Sequence, residues 1–211
     1  GSDGDSWSLT VGKRATYGIS RILMRFPALS LSAIDSASQI TSATVELRDL
    51  MCEDDALTVY AHTYTGNVWS ESTANWSNTG STNYASASLS SRTISYANGT
   101  SASARGTSQP HRYAFDITSA VKGWKIGTYS ATRGIVFKAS SSIENGSTNI
   151  SKTICSYNRS SEYRPSLTIV YKPKMYISAP KDYILLGQSM QLECNSNTGV
   201  LPVIWSSSNV N

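Results

Sequence analysis

The segment Trp69-Ser-Glu-Ser-Thr-Ala-Asn-Trp76 sets two tryptophans seven residues apart, with an acid and several hydroxyls between them. It follows Leu57-Thr-Val-Tyr-Ala-His-Thr-Tyr64, in which the side chains alternate over eight residues. Such alternation is a strand signature: Leu57, Val59 and Ala61 fall on one face, Tyr60, His62 and Tyr64 on the other. A ring as large as tryptophan either anchors a core or offers a platform for a ligand. A strand feeding a Trp-x6-Trp loop therefore points to a β domain, and leaves open what that loop does.

Other short β runs stand on both sides, separated by turn residues. Ser20-Arg-Ile-Leu-Met-Arg-Phe26 stops at Pro27, and Thr44-Val-Glu-Leu-Arg48 alternates apolar and charged side chains. Later come Arg112-Tyr-Ala-Phe-Asp-Ile117, Gly134-Ile-Val-Phe-Lys138, Lys152-Thr-Ile-Cys-Ser-Tyr157 and Ser166-Leu-Thr-Ile-Val-Tyr171. The runs are too closely spaced for crossover helices, so antiparallel pairing in an all-β sandwich or jelly roll is expected. One short helix is expected at Thr118–Lys125. Asp116 or Thr118 can cap it, Val121 and Trp124 share a face, and Gly127 ends it. The polar stretch from Asn78 to Pro110 has Tyr84, Leu89, Ile94 and Tyr96 as its few apolar points and reads as a long functional or irregular loop.

The texture changes at Lys172-Pro-Lys174, which puts a domain boundary near Pro173: residues 1–173 form one unit and 174–211 a second, incomplete one. The leading Gly1-Ser2 reads as a cloning scar on a fragment of a longer polypeptide. The chain of 211 residues is 39% apolar and only 15% charged, with 38 serines and 20 threonines. That texture suits an extracellular all-β domain better than a cytosolic helical enzyme. A net charge of +4 from scattered Lys and Arg lacks the basic stripe that nucleic acid requires. No apolar run is long enough to span a membrane. Cys52, Cys155 and Cys194 show no metal-type spacing. Buried free thiols are the favoured reading, with Cys52 to Cys155 the pairing to consider in an oxidising compartment. The five Asn-x-Ser/Thr triplets, at Asn75, Asn98, Asn145, Asn149 and Asn158, carry little weight in so hydroxyl-rich a chain.

Taken in order, several segments resemble the DNRLRE family, all-β modules of secreted and surface bacterial and archaeal proteins. Arg21-Ile-Leu-Met-Arg-Phe26 resembles its "R-x-L-L-x-F" strand, and Ile40-Thr-Ser-Ala-Thr-Val-Glu-Leu47 the run that follows. Trp69–Trp76 is similar to "W-S-E-x-T-V-T-W", and Phe115–Trp124 to "F-D-V-T-x-x-V-x-x-W". Gly134–Lys138 and Arg164-Pro-Ser-Leu-Thr-Ile169 resemble the closing strands. The resemblance marks Trp69, Glu71, Trp76, Asp116, Trp124 and Arg164 as structural signature positions, with the tryptophans in core roles. It departs at the start, where only Ser8-Leu-Thr-Val11 is left for an opening strand with its "N-Y-G" turn, and in the longer Asn78–Pro110 insertion. Residues 174–211 resemble the first half of a group 2 bacterial immunoglobulin-like (BIg) domain, through Leu186-Gly-Gln-Ser-Met-Gln-Leu192 and Ile204-Trp-Ser-Ser-Ser-Asn209. Trp205 is expected to pack against the first domain or a neighbouring chain.

Catalytic constellations are weak. A nucleophile needs an adjacent base, and the only histidines are His62 on a strand and His111 in a turn. Paired carboxylates for glycoside hydrolysis would come from Glu46, Glu71, Asp54 or Asp55, which read as strand-surface and turn residues. No enzyme and no cofactor is therefore expected. Calcium needs converging loop oxygens, and neither Glu53-Asp-Asp55 nor Asp3-Gly-Asp5 has a dedicated spacing. Sugar binding needs aromatic faces beside polar groups; Trp7, Tyr60, Tyr64, Tyr84, Tyr96, Tyr157 and Tyr163 are the candidates. The resemblance implies a noncatalytic, glycan-binding or adhesive module of a longer secreted or cell-wall-attached bacterial protein. Tyr84, Tyr96, Tyr60 and Arg105 are the expected contacts. The same aromatic and hydroxyl content would suit an adhesin that binds a host protein, for example an immunoglobulin. A structural stalk without ligand is the third reading.

Overall fold

The computed structural model describes residues 8–52, 55–79, 82–95, 111–173, 175–178 and 193–196; for 50–52, 175–178 and 193–196 the description is of the backbone alone. The main body is an antiparallel β-sandwich. One sheet runs β10 (Ser166–Tyr171), β4 (Ile40–Cys52), β9 (Ser151–Cys155), β1 (Ser8–Arg14) and β2 (Gly18–Ser20), with β7 (Arg112–Asp116) also paired to β4. The other runs β3 (Ile22–Met24), β8 (Ile135–Ala139), β5 (Leu57–Thr63) and β6 (Ser90–Ile94).

The thirteen-residue β4 organises the first sheet. Thr44 faces both Thr168 and Asp116, so β10 and β7 flank it, and Asp49–Cys52 then pairs with β9 past a bulge. Ala43, Val45 and Leu47 point inward at 0–1% exposure, while Thr44 and Glu46 point out. From the other sheet Leu57, Val59 and Ala61 meet them as the alternation requires, joined by Ile22, Ile94, Ile135, Phe137 and Ala139. Phe115 and Phe137 pack edge to face across the sheets, 5.0 Å between ring centroids.

The expected helix is α2 (Thr118–Lys125). Asp116 caps it from just outside: its Oδ1 accepts from the Thr118 N–H at 2.8 Å and the Thr118 hydroxyl at 2.6 Å. Those two bonds, the hydroxyl's first, hold the Asp116 carboxyl below its ordinary range. Val121 and Trp124 face the core, Trp124 against Phe26 at 5.7 Å, and Gly127 at φ 79° follows the last turn. Short turns at α1 (Trp76–Thr79) and α3 (Ser141–Asn145) complete the helical content of the described residues, with a 3-10 turn at Ala37–Gln39.

Two expectations change. The opening strand runs beyond Ser8–Val11 to Arg14 and lies between β9 and β2, turning back through Tyr17-Gly18 into β2. The Asn78–Pro110 stretch holds structure as well: α1 reaches into it, and β6 pairs with β5 along five residues. β6 escapes the sequence pattern because Ser90-Ser-Arg-Thr-Ile94 buries a single large side chain, Ile94, at this edge. Cys155 is a buried free thiol, as favoured, 3.8 Å from the Asp49 carbonyl and pushed up in pKa by burial. Beyond Pro173, β11 (Met175–Ser178) pairs antiparallel with β12 (Glu193–Ser196). Trp205 and the side chains of Cys52 and Cys194 lie outside the described residues.

Candidate functional site

The outer face of the second sheet is built over, and the register explains how. Ala61 of β5 faces Ser90, whereas Tyr64 faces Tyr84: three residues on one side against six on the other. The surplus is taken up around Ser86-Ala-Ser88, and an excess of this kind re-aims the chain beside a sheet edge. Backbone bonds from Ala85 N–H to Thr63 O (2.9 Å) and Leu89 N–H to Ala61 O (2.7 Å) pin the segment on either side. It lies over the outward side chains of β5, so His62 and Tyr64, on the face opposite the core residues Leu57, Val59 and Ala61, are 7% and 3% exposed.

An open groove of about 570 Å³ results. Tyr60, His62 and Lys138 come from the sheet, Thr82, Tyr84, Ser86 and Ser88 from the bulged segment, and Ser140 and Ser141 from the start of α3. Tyr60 and Lys138 face each other across β5 and β8. His62 donates its Nδ1–H to the Ala85 carbonyl at 2.8 Å and meets Tyr84 edge to face at 5.0 Å. Burial pushes its imidazole below 6.5; the Ala85 carbonyl opposes this, while the Lys138 and Arg21 cations reinforce it.

Behind the groove lies a buried charge cluster. Glu144 of α3 binds Arg21 through Nε–Oε1 at 2.9 Å and Nη2–Oε2 at 2.7 Å, and Lys138 Nζ approaches Oε2 at 3.2 Å. Lys138 also donates to its neighbour's carbonyl, Ala139 O, at 2.7 Å. The Arg21 guanidinium lies 4.7 Å from the Trp76 ring and 5.1 Å from the Tyr84 ring, and Lys138 Nζ lies 5.4 Å from Tyr84. These cation–π contacts set the aromatic rims on a charged base.

The groove gathers two of the four expected contacts, Tyr60 and Tyr84; Tyr96 and Arg105 lie outside the described residues, as does Trp7. Lys138, Arg21 and the serines were missed. Lys138 carried a signal, being a charged residue at an outward position of an apolar run, but its partner Tyr60 is visible only once β5 and β8 are paired.

The signature tryptophans divide, which corrects the expected core roles. Trp124 is core at 8% exposure, but Trp76 is 46% exposed. Trp69, half-buried, donates Nε1–H to Arg133 O at 2.9 Å and stacks 5.3 Å from Arg25. The pair thus straps the outside of edge strand β3 through the arginines that flank it. Glu71 is exposed in a turn, and Arg164 donates to Arg159 O at 2.9 Å with its guanidinium 4.5 Å from the Tyr157 ring. Tyr163 sits 5.9 Å from Arg48 and does not line the groove.

Of the acids considered for catalysis, Glu46 lies by Arg48 and Arg112 at 3.4 and 3.6 Å, Asp55 is exposed, and Asp54 lies outside the described residues. The His111 N–H donates to Asp49 Oδ1 at 2.8 Å. Among the described residues no three His, Cys, Asp or Glu side chains converge as metal ligands, and no helix is long and apolar enough to cross a membrane. No protein-family model matches the sequence, and no curated protein matches it.

Proposed function

We propose that this domain is a noncatalytic glycan-binding module of a secreted or surface-attached bacterial protein. The observation that carries the reading is the convergence of Tyr60 and Tyr84 with five serine and threonine hydroxyls around one open groove. A pyranose presents a C–H face that stacks on an aromatic ring and a rim of hydroxyls that hydrogen-bond. The groove supplies both kinds of partner. Its volume lies within the range of small-ligand sites. The noncatalytic part rests on the groups that could do chemistry: Glu144 is held by Arg21 and Lys138, and the Nδ1–H of His62 by Ala85.

So open a site suits weak binding, millimolar to micromolar, or about 4–8 kcal/mol. The test is a glycan array of plant, algal, mucin and microbial sugars, read beside a pull-down from host serum. Sugar binding that is lost in a Tyr60→Ala, Tyr84→Ala double variant supports the reading. Silence on the array with capture of a serum protein would replace it with the adhesin reading.

A further inference from the structure

Trp76 is a large apolar ring left 46% exposed, and its placement is built rather than incidental. Asn75 caps its turn: Oδ1 accepts from Ser77 N–H at 2.9 Å and Asn78 N–H at 3.2 Å, and the Asn75 N–H donates in turn to Asn78 Oδ1 at 2.9 Å. The end of the same turn is tied to the groove. Thr79 O accepts from the Tyr64 hydroxyl at 3.2 Å and from Asn83 Nδ2 at 2.8 Å, and Asn83 and Tyr64 are the residues beside and opposite Tyr84. Arg21 then lies within 4.7 Å of the Trp76 ring and 5.1 Å of the Tyr84 ring, itself held by Glu144. One largely buried cation thus contacts both rings.

We infer that Trp76 forms a second stacking subsite beside the Tyr60–Tyr84 groove, so that the ligand is a glycan chain spanning both rather than a single terminal sugar. This rests on the glycan-binding reading and adds to it the length of the ligand. A ring fixed in advance by a cap, two tie bonds and a cation loses little freedom when a sugar settles on it. Its open side is the surface that contact would cover.

The test is calorimetric titration of the full chain with β-1,4-linked glucose, xylose, mannose and N-acetylglucosamine series and an α-1,4-linked galacturonate series, one to six units long. In the series that binds, affinity is expected to rise at least about tenfold from one unit to three or more. Trp76→Ala should abolish that rise, so that long chains bind no better than one unit, and Trp76→Tyr should restore part of it. Affinity independent of length overturns the inference but leaves the glycan reading standing. So does a Trp76→Ala loss equal at every length, since that marks Trp76 as a mere prop for Arg21. Failure of every series to bind overturns both.

Discussion

Glu144 grips Arg21 with both carboxylate oxygens, and the two side chains are 4% and 10% exposed. The pair joins α3 to the residue just before edge strand β3 and fixes the cation against which Trp76 and Tyr84 lie. Breaking a buried pair strands a charge away from water. Glu144→Ala is therefore expected to cost about 3–5 kcal/mol in urea unfolding. An unchanged midpoint would show that solvent reaches Arg21 freely.

The tryptophans should separate by burial. Trp124→Ala opens a hole in the core beside Phe26 and is expected to cost about 3–5 kcal/mol. Trp69→Ala forfeits one hydrogen bond and one cation–π contact at a half-buried site, about 1–2 kcal/mol. Paired thermal melts check the order. A Trp69 variant less stable than the Trp124 variant would restore the core role implied by the sequence resemblance.

Stability should fall on mild acidification through His62. Its pKa in the fold lies below 6.5, so the unfolded chain takes up the proton first. The His62 contribution is full above pH 6.5 and is lost as pH falls below it, by at most about 1.4 kcal/mol per pH unit. Unfolding free energies from pH 8 to about pH 5, above the main carboxylate range, should show this slope and His62→Gln should flatten it. A wild-type profile as flat as the variant's contradicts the burial of His62.

The two-sheet architecture could be read from Leu57–Tyr64, Thr44–Arg48 and Ser166–Tyr171, because strands with one buried face must alternate. The α2 boundaries followed from Asp116 and Gly127. What stayed hidden depended on pairing between distant segments. Nothing local in Ser86-Ala-Ser88 says that it bulges; only the difference between the Ala61–Ser90 and Tyr64–Tyr84 registers does. Likewise Arg21, Lys138 and Glu144 are unremarkable singly and become a cluster only when β3, β8 and α3 meet. Tyr60 and Tyr84 were nameable as aromatic candidates from chemistry, whereas the resemblance implied a core role for Trp76, and bulk alone does not tell an anchor from a platform.

The most direct test of the central claim is affinity electrophoresis through gels carrying the polysaccharides that score on the array. Wild type is expected to be retarded, and the Tyr60→Ala, Tyr84→Ala variant to run as in a polysaccharide-free gel while keeping a cooperative melt. A folded double variant retarded as strongly as wild type would contradict the assignment of this groove.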